Sequence, residues 1–171
     1  MFILVSGGSA SGKSGYAEEL IARGPAGPRL YVATMMVWDS ESRSRVERHR
    51  AMRAGKGFIT EERPVHLTEL PIPPGASVLL EDLGNLAANE WFGKEGLKGA
   101  FTRVVTGLRK LRKGAALTVV VTNELFSDGI RYAPETGEYL EFLAQLNRAA
   151  AELADKVYEV VCGIPVCWKG E

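Results

Sequence analysis

Short apolar runs alternate with longer amphipathic stretches along this chain of 171 residues. Apolar runs bounded by turn residues are typical of buried strands, and apolar residues three and four positions apart are typical of helices. The predicted strands are residues 2–6, 30–34, 78–80, 117–122, 157–162 and 164–168. The predicted helices are residues 14–23, 40–54, 85–92, 98–113 and 135–154.

Strands that alternate with helices predict βα units, and βα units predict a mainly parallel sheet with helices on its faces. The last two strands flank Gly163 and predict a C-terminal β-hairpin. The chain has the length of one ordinary domain, and no internal repeat divides it. We therefore expect a single α/β domain over residues 1–171.

The composition and charge balance exclude some classes of protein and of binding partner. Hydrophobic residues make up 46% and charged residues 25%, and 21 basic residues balance 21 acidic ones. This balance gives no global attraction to nucleic acid or to an anionic membrane. No apolar run approaches the roughly 18 residues of a membrane span, and the N-terminus lacks the basic region of a signal peptide. We expect a cytoplasmic protein without a nucleic-acid partner.

The two cysteines, Cys162 and Cys167, do not predict a metal site. Their spacing is poor for zinc, and the two histidines lie far away in the sequence. Free cysteine usually behaves as a small buried hydrophobe. We expect both side chains to be buried near the C-terminal strands.

The strongest motif follows the first predicted strand and matches G-x-x-x-x-G-K-[ST], the phosphate-binding loop. It consists of Gly7, Gly8, Ser9, Ala10, Ser11, Gly12, Lys13 and Ser14. Glycines allow the backbone to wrap closely around phosphate oxygens, and successive N–H groups at a helix N-terminus bind the anion. At average composition, the pattern arises by chance in roughly one chain of this length in a hundred. The motif predicts nucleotide binding, with an exposed Lys13 on the outer phosphates and the Ser14 hydroxyl on Mg²⁺.

An acidic residue at the end of a neighbouring strand usually completes the metal site of a phosphate-loop protein. Glu81 and Asp82 directly follow the predicted strand 78–80, and either could serve. A solvated strand end is the alternative interpretation.

A basic segment, residues 43–56, holds six Lys or Arg and one histidine, His49. In a helix, Arg45, His49 and Arg53 would share one face. Neighbouring guanidinium groups favour neutral imidazole, which is a nucleophile that could attack a phosphorus atom. The alternative is a solvated basic helix face. His66 lies between Val65 and Leu67, and we interpret it as structural.

Several stretches together resemble one family. They are GGSASGKSGYAEEL, YVATM, RVERHRAMRAGKGFITEE, VLLEDLGNLAANEWF, VVVTNELFSDGIRY and ADKVYEVVCGIPVCWKG. Nearly the whole chain is similar to the bifunctional adenosylcobinamide kinase / adenosylcobinamide-phosphate guanylyltransferases of cobalamin biosynthesis. The sequence departs from the usual pattern of that family at one position and in one stretch. Asp82 stands where many members have Cys, and residues 126–132 replace a G-x-G-I-V-P run.

The resemblance implies two reactions. A nucleoside triphosphate, ATP or GTP, phosphorylates the aminopropanol hydroxyl of adenosylcobinamide, and GMP then passes from GTP to that phosphate. Members of the family form a guanylyl-histidine intermediate, and the histidine that carries it corresponds to His49. The resemblance implies Lys13 as the second catalytic residue. The resemblance also implies nucleotide contacts by Arg45, Arg53, Glu62 and Glu81, with Ser14 and Glu81 on Mg²⁺. Trimeric assembly is implied by the resemblance alone.

Other readings stay open. The chain could retain one of the two reactions, or act as a small-molecule kinase in which His49 only binds phosphate. A non-catalytic nucleotide-binding switch belongs to a different class.

Overall fold

The computed structural model describes residues 1–36, 55–124 and 133–170. This part of the chain contains seven strands, four α-helices and a short 3₁₀ helix, Leu67–Glu69. In chain order they are β1 (Phe2–Ser6), α1 (Lys13–Ala22), β2 (Arg29–Ala33), β3 (Phe58–Glu62), β4 (Ser77–Glu81), α2 (Leu83–Phe92), α3 (Ala100–Gly114), β5 (Leu117–Val121), α4 (Pro134–Leu153), β6 (Lys156–Val161) and β7 (Ile164–Lys169).

The seven strands form one sheet in the order β3-β2-β4-β5-β1-β6-β7. The first six strands in this order are parallel to one another, and β7 pairs antiparallel with β6. This confirms the predicted mainly parallel α/β sheet with a C-terminal hairpin. Parallel pairing places the carboxyl ends of β1, β2, β3 and β4 at one edge of the sheet, where ligands bind in open α/β folds.

Both faces of the sheet are covered by helices. In β1, Phe2 and Leu4 point into one apolar cluster and Ile3 and Val5 into another, because successive side chains in a strand face opposite sides. Helix α1 packs on the second cluster through Ile21, and α2, α3 and α4 pack on the first. Burial on both faces explains why β1 and β5 are nearly continuous apolar runs. None of the described helices is long and apolar enough to span a membrane.

The sequence analysis did not predict one of the seven strands. Strand β3, with the sequence FITEE, is an edge strand paired only with β2, and Ile59 is exposed. The ring of Phe58 on β3 contacts the ring of Tyr31 on β2, and the two ring centroids are 5.9 Å apart. An edge strand that buries so little carries no apolar run, so periodicity could not detect it. The predicted helix 40–54 lies outside the described residues.

The expectation for the cysteines is wrong, because Cys162 and Cys167 are both exposed. Cys162 lies in the turn of the β6–β7 hairpin with a φ of 51°. Cys167 lies on β7, which is exposed along its whole length. Because the hairpin lies at the edge of the sheet, both thiols are left at the surface.

Asp155 joins three elements at the amino end of the sheet. Its Oδ2 accepts a hydrogen bond from the Phe2 N–H at 2.7 Å, and its Oδ1 accepts one from Arg112 Nη2 at 2.9 Å. The Phe2 bond, followed by the charge of Arg112, holds the pKa of Asp155 below its usual value. A carboxyl group whose pKa is lower in the folded state stabilises the protein above its unfolded pKa.

We predict that Asp155→Asn destabilises the protein at pH 7 and that this difference shrinks as the pH falls below about 4, the ordinary pKa of aspartate. Protonation of wild-type Asp155 removes the same charge that the substitution removes. Urea unfolding at pH 7, 5 and 3.5 measures the difference. Glu152→Gln is the control, because it removes an exposed negative charge three residues earlier in the chain and keeps the Phe2 bond. An Asp155→Asn penalty that is constant with pH would contradict the assignment.

Candidate active site

The loop between β1 and α1 is closely packed. A Cβ atom at Gly7 would lie 2.5 Å from Ser11 Oγ and 2.7 Å from the Val160 carbonyl oxygen, so only glycine fits. Gly12 has a φ of 94°, in the region that favours glycine, and it is the N-cap of α1. The Gly163 N–H, in the β6–β7 turn, donates to the Ser11 carbonyl at 2.9 Å. The C-terminal hairpin therefore supports the predicted phosphate loop from outside.

Lys13 is the first residue of α1, and the expectation that its side chain is exposed is wrong. It is only 8% exposed, and its Nζ donates to the Gly8 carbonyl oxygen at 3.0 Å. The side chain folds back over the loop because a buried ammonium group needs an acceptor. The ammonium group therefore lies within the loop, at the site where phosphate oxygens are expected.

Ser14 meets the acidic end of β4. Its Oγ donates to Glu81 Oε1 at 2.7 Å, and Glu81 Oε2 is buried with no hydrogen-bond partner among the described residues. Burial raises the pKa of Glu81 to about 7, although the Ser14 hydroxyl and the Lys13 charge act in the opposite direction. The pair offers two hard oxygen ligands, the type that Mg²⁺ prefers.

Asp82, the other acidic candidate, uses both of its oxygens for structure. Oδ1 accepts a hydrogen bond from the Asn85 N–H at 2.7 Å and caps α2, and Oδ2 accepts one from Asn123 Nδ2 at 3.1 Å. Burial raises the pKa of Asp82, and these two hydrogen bonds act against the rise. The geometry therefore favours Glu81 over Asp82 as the oxygen that faces the phosphate loop.

Thr34, just after β2, connects the acidic strand end to the neighbouring elements. Its Oγ1 lies 3.0 Å from the Glu81 carbonyl oxygen and accepts the Asp82 N–H at 2.8 Å. Its own carbonyl oxygen accepts a hydrogen bond from Asn89 Nδ2 at 2.8 Å, and the same nitrogen donates to the Pro64 carbonyl at 2.9 Å. The ends of β2, β3 and β4 are thus fixed to one another and to α2.

The structure brings together only some of the predicted site residues. Residues 7–14 and Glu81 lie at the carboxyl edge of the sheet, and Glu62 is exposed at the end of β3, the far strand of that edge. Arg45, His49 and Arg53 lie outside the described residues, as does the departure at residues 126–132. Thr34, Asn89 and Asn123 were not selected by the sequence analysis. Their only signal was that each lies in or beside a stretch that carries the resemblance.

A family model described as cobinamide kinase / cobinamide phosphate guanyltransferase matches residues 3–168 of the chain. The chain belongs to this family. The family match covers both the phosphate loop and Glu81, so the two halves of the candidate site fall within one family pattern.

Two relatives carry the name bifunctional adenosylcobalamin biosynthesis protein CobU. The protein from Escherichia coli is 33% identical over 184 residues, covering 97% of this chain and 98% of the relative. The protein from Salmonella typhimurium is 32% identical over 184 residues with the same coverage. A solved structure from Pyrococcus horikoshii is similar in fold alone, with a TM-score of 0.55, 10% identity, and coverage of 99% of this chain and 86% of that one.

We predict that Lys13→Met weakens nucleotide binding by about 10- to 150-fold, because a hydrogen bond to a charged group contributes about 1.5–3 kcal/mol. Methionine keeps most of the buried side-chain volume, so the melting temperature should change little. Calorimetric titration with GTP measures the affinity. Lys56→Met is the matched control, since Lys56 is an exposed lysine that pairs with Glu18 of α1. Equal GTP affinities for wild type and Lys13→Met would refute the phosphate-loop assignment.

Proposed function

We propose that this protein phosphorylates adenosylcobinamide and then transfers GMP from GTP to the product, adenosylcobinamide phosphate. The observation that carries the proposal is the contact of Ser14 with Glu81 at 2.7 Å beside a complete phosphate loop, in a chain of the cobinamide kinase / cobinamide phosphate guanyltransferase family. Such a site is built to hold a nucleoside triphosphate by its outer phosphates. GTP serves the second reaction, and ATP or GTP the first.

In the first reaction, the acceptor hydroxyl oxygen forms a bond to the γ-phosphorus. The bond from that phosphorus to the nucleoside diphosphate breaks, and the hydroxyl proton is released to solvent. Phosphoryl transfer of this type depends on positioning and charge stabilisation and needs no enzyme nucleophile. The loop N–H groups and the Lys13 ammonium would supply both, because they surround the place where the outer phosphates bind.

Mg²⁺ fits the residues at the mouth of the loop. Ser14 Oγ and Glu81 Oε1 are adjacent, and the buried Glu81 Oε2 has no hydrogen-bond partner among the described residues. The described residues contain no cluster of three or more His, Cys, Asp or Glu, so the remaining ligands would be water and phosphate oxygens. When bound, the ion would neutralise charge on the transferred phosphoryl group.

We predict that Glu81→Gln raises the Mg²⁺ concentration needed for half-maximal kinase activity by about tenfold or more, and raises the nucleotide KM much less. The amide keeps the size of the side chain and removes its charge. Asp82→Asn is the matched control at the neighbouring carboxylate, because asparagine still caps a helix. An unchanged Mg²⁺ titration for Glu81→Gln, or a shift confined to Asp82→Asn, would contradict the assignment.

The second reaction is proposed to pass through His49. A neutral ring nitrogen forms a bond to the α-phosphorus of GTP while the bond to pyrophosphate breaks. A phosphate oxygen of the acceptor then forms a bond to the same phosphorus, and the nitrogen–phosphorus bond breaks. Arg45 and Arg53 would hold the phosphates of the departing pyrophosphate. This step is supported by the resemblance and by the residue types of segment 43–56.

We predict that His49→Ala abolishes GMP transfer and leaves kinase activity intact, because only GMP transfer needs an enzyme nucleophile. Wild-type protein incubated with [α-³²P]GTP should carry label that is lost in mild acid, and [γ-³²P]GTP should leave none. Labelling should weaken as the pH falls through the range in which histidine becomes protonated. Arg53→Ala is the companion variant, and it should slow labelling without abolishing it.

The labelling experiment also separates the alternatives. Formation of adenosylcobinamide-GDP by His49→Ala at the wild-type rate would exclude the covalent step. Acceptor phosphorylation without any protein label would indicate a simple kinase. Nucleotide binding without turnover of either corrinoid would indicate a switch.

We further propose that the chain is one domain, acts in the cytoplasm and assembles as a trimer. Size-exclusion chromatography with light scattering tests the trimer.

A further inference from the structure

A cavity of about 620 Å³ lies beside the candidate active site. We call it the α2 pocket, because α2 and the loop after it form one wall. Its apolar lining includes Met36, Val65, Ala88 and Phe92, and charged side chains such as Lys94 lie around them. The volume is within the usual range for small-molecule sites, and an apolar wall with a few polar groups is their usual composition.

The sheet order fixes where the α2 pocket lies relative to the phosphate loop. Met36 follows β2 and Val65 follows β3, while the loop follows β1 and Glu81 ends β4. Along the edge in the order β3-β2-β4-β5-β1, the pocket therefore lies beyond Glu81 as seen from the phosphate loop. Asn89, which lines the pocket, is connected through Thr34 to the Glu81 backbone.

The wall of the pocket is fixed before any ligand binds. Phe92 is 70% exposed, yet its ring is backed by Tyr139 and Trp91, with centroids 5.6 and 6.4 Å away. On the other side, the buried Glu90 accepts the His66 N–H at 2.9 Å and Arg103 Nε at 2.6 Å. A large exposed ring that is held from behind is a stacking surface for a flat ligand, and little entropy is lost when it binds.

The geometry of phosphoryl transfer indicates which ligand the α2 pocket binds. In phosphoryl transfer, the attacking oxygen and the leaving oxygen lie roughly in line across the γ-phosphorus. Ser14 and Glu81 mark the end of the site that faces the outer phosphates. An acceptor in line with the leaving oxygen would approach from the side beyond Glu81, and the residues that line the α2 pocket lie on that side.

We propose that the α2 pocket binds the corrinoid acceptor, with Phe92 packed against the corrin macrocycle and its amide side chains near the polar groups around the opening. This assignment rests on the proposed function and gives that function an acceptor site. The macrocycle is a broad and largely apolar ring system with amide groups on its periphery, so it matches an aromatic surface surrounded by polar groups. Phe92 would thus set the affinity for the acceptor and take no part in the chemistry.

The test compares Phe92→Ala with Phe101→Ala, a control at another exposed phenylalanine on α3 that does not line the pocket. We expect Phe92→Ala to raise the KM and the Kd for adenosylcobinamide by about 5- to 150-fold, the range that aromatic stacking contacts contribute. The nucleotide KM should change less than twofold. Equilibrium dialysis, read by the visible absorbance of the corrinoid, measures the Kd, and Phe92→Tyr should restore it.

A second variant blocks the pocket. Ala88→Phe places a ring inside it and should reduce corrinoid binding while GTP binding persists, with circular dichroism as the check on folding. The assignment is overturned if both variants bind corrinoid as the wild type does, or if they weaken GTP binding instead, which would place the nucleoside there. Wild-type protein that neither binds nor turns over corrinoid would refute the proposed function itself, and the pocket assignment with it.

Discussion

Parallel pairing of β1 is the constraint on which the rest of the structure depends. Strand β1 lies between β5 and β6, and β5 in turn lies beside β4, so the phosphate loop and Glu81 emerge at the same edge two strands apart. The side chains of β1 pack into separate apolar clusters on the two faces of the sheet, and a shift of one residue would exchange the two sets. The Ser14–Glu81 contact follows from that packing, because helix α1 carries Ser14 over the end of β4.

One carboxyl oxygen at this edge of the sheet, Glu81 Oε2, has no hydrogen-bond partner in the part of the chain that the structure describes. Glu81 is partly buried, and this burial raises its pKa, which is unfavourable for the fold alone. Asp82, one residue later, is also partly buried, but hydrogen bonds from Asn85 and Asn123 occupy both of its oxygens. Two adjacent carboxyl groups thus have different tasks. One fixes the start of α2, and the other is left to face whatever the phosphate loop holds.

The elements that the sequence predicted well are those whose signal is local. A phosphate loop needs eight consecutive residues, and buried strands such as β1 and β5 are nearly continuous apolar runs, so both can be predicted without tertiary information. Strand β3 was missed because an edge strand buries little. The expectation for Lys13 failed because its burial depends on how the side chain folds back over the loop. The α2 pocket had no signature at all, since it combines the ends of β2 and β3 with one side of α2.

The two sides of the site are built by different means, and this suits what each has to bind. On the nucleotide side, glycines and backbone contacts dominate. Gly7 packs against Val160, and the Gly163 N–H donates to Ser11, so main-chain groups define the cradle and leave little freedom for side-chain change. A phosphate group is the same in every nucleotide, and backbone N–H groups recognise it without side chains. On the acceptor side, side chains such as Phe92 form the wall, and substitution there can change the ligand while the cradle stays intact. Specificity for a large acceptor is therefore expected to reside in α2 and the loop after it, whereas the phosphate chemistry resides in the turn after β1.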